Sequence, residues 1–294
     1  MLNKDYPNYF IAGDKASLLA QSTYTKFVKW DLILMVFASA LAIYNYESEK
    51  SKFLIYIISG LLLIVATILS LVIKNKKYED TWYRGRALAE SCKTLTWRYI
   101  TCSEYFENNL DIKIVNKRFT DRIKEINNEF TDLIGFLNAK DIALPIITTE
   151  MYRIRILSIN ERKKYYLENR INNQITWYST KAETNKKKYE NWFWAVIIAQ
   201  ILAIISIVFL IKLPTCDFNL VGLFSTFSAS CFSWLQLKKY QENKEAYTTA
   251  TSELNMIKQE LGDADNEIEF SKFVLDAENA MSREHTLWIA QKRM

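Results

Sequence analysis

The stretch FLIYIISGLLLIVATILSLVI at 53–73 runs for 21 residues without a charged side chain. At about 1.5 Å of rise per residue such a helix is roughly 31 Å long, close to the roughly 30 Å hydrocarbon thickness of a bilayer. Inside lipid every backbone N–H and C=O has to be satisfied within the segment, so this run predicts a transmembrane α-helix. Three further apolar runs lie at 30–46 (WDLILMVFASALAIYNY), 192–211 (WFWAVIIAQILAIISIVFLI) and 218–237 (FNLVGLFSTFSASCFSWLQL). The run at 30–46 is short, and either extends back through Phe27 and Val28 or sits with Trp30 and Tyr46 at the two interfaces. The loops within each pair, ESEKSK and KLPTCD, are short, so the four runs predict two helical hairpins.

The fold class expected is therefore an all-α membrane protein, with four transmembrane helices as two hairpins and long cytoplasmic helices packed as bundles. Only 6 Gly and 3 Pro in 294 residues leave few turn formers and favour long helices. The N-terminus lacks the basic start and small-residue cleavage site of a secretory signal, so the first hydrophobic helix is expected to be retained. Both intra-hairpin loops are balanced in charge, whereas the other ends are basic: Lys26 and Lys29, the KNKK run at 74–77, the three lysines at 186–188, and Lys238 with Lys239. The positive-inside rule puts those four ends, both termini and the long central segment in the cytoplasm.

Some excluded classes narrow the function. A net charge of +5 is mild for this length and does not point to nucleic acid. Cys92, Cys102, Cys216 and Cys231 have neither paired nor metal-ligand spacing, and His285 is the only histidine, so neither a disulfide framework nor a metal is expected. There is no phosphate-cradling glycine loop and no nucleophile elbow, so neither a cofactor nor an enzymatic activity is expected.

An internal repeat is visible. Lys29–Trp30 is echoed by Asn191–Trp192, and the KKY ending at Tyr78 by the KKY ending at Tyr240, both at an offset of 162 residues. This predicts a duplicated hairpin module: 1–138, a linker at 139–149 holding Pro145, and 150–294. Ile171, Ile175, Tyr178, Ala182, Asn185 and Tyr189 follow alternating steps of four and three, and Tyr240, Tyr247, Ala250, Leu254, Ile257 and Leu261 follow coiled-coil spacing. Trp82, Gly85, Ala89, Cys92, Thr96, Tyr99, Ser103 and Phe106 make a third stripe, whose small residues permit close helix approach. The membrane helices are thus expected to continue into the cytoplasm. An amphipathic helix is predicted at 112–137, and a break at Gly262.

The run WYRGRALAESCKTLTWRY at 82–99, with DKASLLAQSTY upstream, resembles the SLATT family of two-transmembrane effector domains associated with bacterial nucleotide-signalling systems. The second half resembles another branch of that family through Tyr165, Leu167, Arg170, Gln174, Trp177, Tyr178, Lys181, Ala182 and Asn185, and through the ending ENAMSREHTLWIA. The resemblance covers nearly the whole chain and implies a tandem SLATT protein in a bacterial inner membrane. It further implies a nucleotide-sensing or nucleotide-making partner and a pore-forming role in antiphage defence. The family supplies no catalytic or ligand motif to carry over.

Candidate residues fall in two places. In the fourth run Asn219, Thr226, Ser230 and Ser233 recur at helical steps, and Gln200 interrupts the third run midway. Hydrogen-bonding groups at membrane depth suit a pore lining, while small polar residues equally suit close helix packing or an interhelical hydrogen bond. Asp31 lies near enough to an interface to stay hydrated. In the 82–99 run Arg84, Arg86, Glu90, Lys93 and Arg98 are candidates for a cytoplasmic ligand or partner, with pairing along one helix face as the structural alternative. Glu284, His285 and Trp288 suit packing or capping better than catalysis. Four spans per chain cannot enclose a wide pore, so conduction requires a homo-oligomer in the lipid bilayer. A non-conducting signalling scaffold and a constitutive ion channel are the alternatives.

Overall fold

The computed structural model describes residues 2–43 and 48–293, and the side chains of all of these except Asp263 and 283–293. Tyr46, and the side chains of Glu284, His285 and Trp288, lie outside the described residues. Within them the chain is helical and has no β-strand. The helices are α1 (Asn8–Leu41), α2 (Glu49–Lys76), α3 (Tyr78–Ile100), α4 (Ile112–Glu129), α5 (Ala139–Ile142), α6 (Thr149–Arg155), α7 (Ile159–Tyr166), α8 (Asn172–Lys212), α9 (Val221–Lys238), α10 (Tyr240–Glu260) and α11 (Glu267–Arg293). A wide, π-type turn at Leu167–Ile171 joins α7 to α8.

Contacts divide the chain into two compact units. One is polar: residues 1–21, 79–183 and 243–294. The other is apolar: residues 22–78 and 184–242. The hairpins are thus gathered in one unit and the charged helices in the other, and α1 and α8 contribute residues to both.

In the apolar unit α2 and α8 are long and apolar enough to cross a membrane. Lys26, Lys29 and Asp31 interrupt α1 ahead of its apolar stretch, and Ser225, Thr226, Ser228, Ser230 and Ser233 dilute the apolar surface of α9. Hydrogen bonds set the order of these four helices. Ser59 Oγ donates to Ala38 O (3.1 Å) and Ser70 Oγ to Asp31 Oδ1 (3.3 Å), pairing α1 antiparallel with α2. Asn219 N donates to Ile43 O (2.7 Å) and Lys238 Nζ to Thr25 Oγ1 (3.5 Å), which lays α9 antiparallel along α1. Ser228 Oγ donates to Val196 O (3.3 Å), fixing α9 against α8. The side chains of α2 turn outward almost throughout, with Ala66 its one buried residue.

The polar unit has a conventional core. The third stripe read from the sequence is its centre: Trp82, Gly85, Ala89, Cys92, Thr96, Tyr99, Ser103 and Phe106 are all buried. Its small residues serve the purpose expected of them. A Cβ on Gly85 would lie 2.9 Å from Gly13 O and 3.0 Å from Ser17 N, so α1 and α3 cross with their backbones in contact. Ser17 Oγ donates to Trp82 O (2.9 Å) at the same crossing. The stripes of α8 and α10 also turn inward, with Tyr178 and Tyr247 ring centroids 5.7 Å apart. Segment 139–149 carries α5 and is tied to α1, since Asn8 Nδ2 donates to Ile142 O (2.6 Å) and Asn8 N to Pro145 O (3.3 Å).

Two expectations about helix continuity are modified. The helix predicted at 112–137 stops at Glu129, and a 3₁₀ turn carries Thr131–Phe136. The second helix of each hairpin also stops rather than continuing, at Lys77 (φ 49°, ψ 36°) and Lys239 (φ 46°, ψ 47°). A left-handed residue ends a helix by letting its last carbonyls be satisfied, usually through Gly, and here through the lysine of each KKY. The 162-residue repeat is therefore also a repeat in backbone conformation. The break at Gly262 falls where expected, between α10 and α11.

Gly85→Ala is expected to destabilise the chain by about 1–3 kcal/mol, because the added methyl meets the α1 backbone at Gly13 and Ser17, which cannot give way as a flexible side chain would. Gly60→Ala in α2, with open space around it, leaves stability unchanged or raises it by up to about 1 kcal/mol. Thermal unfolding of both variants in one detergent checks this.

Candidate functional site

The five charged candidates of α3 do not form one patch. Arg86, Glu90 and Lys93 share a face with Asp14 of α1: Arg86 reaches Glu90 at 2.7 Å and Asp14 at 3.6 Å, and Lys93 reaches Glu90 at 3.7 Å. Arg84 pairs elsewhere, with Asp80 and Asp132, both at 3.1 Å. Arg98 sits at the far end of α3, 3.5 Å from Glu104 and over the ring of Tyr105. Burial pushes the Asp14 carboxyl above its ordinary range, with Arg86 partly offsetting it. Burial likewise pulls the Lys93 ammonium down, and Glu90 acts against that.

Beneath this face lies a polar network that periodicity did not reveal. Arg170, in the wide turn ahead of α8, donates through Nε to Glu278 Oε1 (2.8 Å) and through Nη2 to Glu278 Oε2 (2.7 Å). The side chains are 2% and 0% exposed, so this bidentate pair is removed from water. Tyr166 Oη donates to Glu278 Oε1 (2.9 Å), and the Arg170 guanidinium lies over the Trp97 ring at 5.8 Å. Trp97 Nε1 donates to Tyr6 Oη (3.0 Å). Burial works against the Arg170 charge, but Glu278 outweighs it and holds the guanidinium firmly protonated. Arg170 Nη1 is buried and has no hydrogen-bond acceptor among the described residues.

Two more buried arginines close the end of α3. Arg155 Nη1 donates to Tyr99 O (2.6 Å), and Arg162 Nη1 to Thr101 O (2.7 Å), so two cations meet carbonyls where the helix dipole is negative. Arg162 also pairs with Glu267 of α11. A weak signal for these residues stands in the sequence. Arg155, Arg162, Tyr166 and Arg170 recur at steps of seven, four and four, and Glu278 interrupts the apolar spacing of Phe270, Val274, Ala277 and Met281. Among the described residues no cluster of His, Cys, Asp or Glu is placed to hold a metal ion.

In the apolar unit the hydroxyl candidates of α9 share a stripe: Thr226 and Ser230 are half-buried and Ser233 is exposed. Asn219 lies ahead of the N-cap residue Leu220, its Oδ1 accepting from Val221 N (3.1 Å). Gln200 is not on that stripe. It lies on α8 in a groove of about 330 Å³ that Phe193, Val196, Phe232 and Gln236 also line.

Residues 7–163 match the SMODS and SLOG-associating 2TM effector domain 3, and residues 166–288 match domain 1 of the same series. The chain belongs to the SLATT family. It holds two SLATT domains in tandem, and its apolar helices α2 and α8 agree with a membrane protein. No curated protein and no solved structure shows significant similarity to it. SLATT domains are membrane-associated effector families rather than catalytic ones.

The two SLATT domains follow one another in sequence but not in space. Trp97, from the first, meets Tyr166 of the second edge to face, with ring centroids 5.6 Å apart, beneath Arg170. Ser103 Oγ donates to Ser271 O (2.8 Å) across the same junction. One core therefore serves both domains, and the Arg170–Glu278 pair is its polar centre.

Removing one partner of a buried ion pair strands the other charge and costs about 3–5 kcal/mol, whereas an apolar pair of similar volume is often tolerated. Glu278→Ala is accordingly expected to unfold the polar unit at ordinary temperature. Arg170→Met combined with Glu278→Leu restores most of the loss. Denaturant melts followed by circular dichroism, on both variants, check the contrast.

Proposed function

We propose that this tandem SLATT protein is a four-span effector of the bacterial inner membrane. It oligomerises and opens a path through the bilayer when a nucleotide-linked defence signal arrives during phage infection. The observation that carries this reading is the composition of the apolar unit's surface. The helices α1, α2, α8 and α9 lie side by side with apolar side chains turned outward, yet α9 and the middle of α8 turn polar groups outward too. In hydrocarbon such groups persist where they meet protein or water.

The basic ends of all four helices support a cytoplasmic location for both termini and for the charged helices. The half-exposed stripe Thr226, Ser230 and Ser233 is the lining this reading favours, with α2 facing lipid. Several copies are needed around the path, since four helices enclose no wide channel. The polar unit, through the α3 face of Arg86, Glu90 and Lys93, is the region to receive the signal or its carrier protein.

Purified full-length protein in liposomes is expected to release a trapped ion-sensitive dye in the presence of cyclic nucleotide or of a nucleotide-sensing partner protein. A Thr226→Val, Ser230→Ala, Ser233→Ala variant that folds normally is expected to release it at least about tenfold more slowly, as loss of hydrogen-bonding groups along a conduction path predicts. Release that is absent under every activating condition, with the protein inserted and folded, supports the membrane-anchored scaffold instead. Release that needs no trigger supports a constitutive channel.

A further inference from the structure

One face of α9 is exposed along its whole length. Gly222, Ser225, Ala229, Phe232 and Gln236 recur at steps of three, four, three and four, and each is exposed. That spacing is the seam of two helices wound about each other, and its small residues allow close backbone approach. Phe232 and Gln236 open onto the groove of about 330 Å³, whose α8 wall is built from Phe193, Val196 and Gln200. The Ser228–Val196 hydrogen bond fixes the register of the hairpin and sets Gln200 at the depth of Phe224 and Ser225. Gln200 is exposed there, and among the described residues no hydrogen bond reaches its amide.

We infer that this seam and groove are the contact between two copies of the chain, packed about a two-fold axis along the membrane normal. The inference rests on the four-span reading above and adds to it the surface through which copies meet. A second copy fits where lipid does not, because acyl tails offer nothing to the Gln200 amide at that depth, whereas the partner copy brings Ser225 to the same level. The two-fold axis sets Gly222, Ser225 and Ala229 against their own counterparts and lets the Phe232 ring of each copy enter the other's groove. Gln236 faces its counterpart at the basic end of the helix. The hydroxyl stripe Thr226, Ser230 and Ser233 lies to one side of the seam, so contact and lining use different residues of one helix.

The test is disulfide cross-linking of the full chain in native membranes, with Cys216→Ser throughout. Ala229→Cys and Gln236→Cys are expected to give mostly covalent dimer under mild oxidation. Ile198→Cys, 54% exposed on the opposite side of α8, and Ile64→Cys on α2 are expected to stay monomeric. Gln200→Leu is expected to weaken self-association in liposomes by about three- to tenfold, read by energy transfer at varied protein-to-lipid ratio. Dimers formed as readily through Ile198→Cys or Ile64→Cys, or none through Ala229→Cys and Gln236→Cys, overturn the inference. Alkaline extraction separates the two levels. Protein stripped from the membrane refutes the four-span reading itself, and protein retained without cross-linking refutes only the seam.

Discussion

The Arg170–Glu278 pair holds together what the sequence keeps apart. Arg170 stands just ahead of α8 and Glu278 in the middle of α11, and their two parallel hydrogen bonds join the ends of the second SLATT domain. Beneath the guanidinium, Trp97 of the first domain supplies an aromatic face, and Tyr166 Oη donates a further hydrogen bond to the carboxylate. Desolvating two charges is expensive, and an apolar core of equal volume is often no less stable. The pair instead admits one geometry: a bidentate fork is satisfied in a single register, and Phe270, Phe273, Val274 and Ala277 pack only when α11 sits in that register. The wide turn at Leu167–Ile171 belongs to the same arrangement. Inserting an extra residue into a helix re-aims the side chains on it, and here it buries Arg170 beside Ile171.

The duplication extends further into the backbone than into the side chains. The sequences around the two KKY copies share little with each other, yet each copy ends the second helix of a hairpin at a left-handed lysine and starts the next helix at its tyrosine. A left-handed non-glycine residue costs on the order of 1–3 kcal/mol, so the surrounding structure must hold it. In both copies the hairpin's second helix is thereby ended at the same point, whatever the chemistry of the helix above. That separation explains how α2 became uniformly apolar and α9 became polar without altering the shared frame.

Much of this was legible in the amino-acid order because period and composition report on solvent. An uncharged run of 21 residues has one plausible partner, and the stripe from Trp82 to Tyr99 marks the buried face of α3 residue by residue, while its last members, Ser103 and Phe106, are buried beyond the end of the helix. The KKY offset and the break at Gly262 were legible for similar reasons. The interleaving of the two domains was not. Nothing in the sequence joins Arg155, Arg162 and Arg170 to the carbonyls and carboxylate more than fifty residues away that hold them, because pairing at that separation leaves no periodic mark. The end of α4 at Glu129 was hidden for the opposite reason: apolar residues continue through Leu133 and Phe136, and a 3₁₀ turn buries Leu133 as well as an α-helix would. Of the candidate residues, the sequence could place Arg86, Glu90 and Lys93 on one helix face, but not Asp14 opposite them.

The two units treat polar groups in opposite ways, and the contrast follows from their solvents. In the polar unit each charged candidate has an internal partner: Arg84 has two aspartates, Arg86 has Glu90 and Asp14, Lys93 has Glu90, and Arg98 has Glu104. A phosphate-bearing ligand at Arg86 and Lys93 must therefore displace Glu90, or arrive on a surface that this helix does not provide. In the apolar unit the exposed amides of Gln200 and Gln236 and the hydroxyls of Ser225 and Ser233 face outward. Water satisfies such groups at no cost, and hydrocarbon does not. The core of the polar unit is complete within one chain. Those exposed polar groups of α8 and α9 have no such complement among the described residues of the unit, and hydrocarbon offers them none, so in a bilayer they call for protein or water against them.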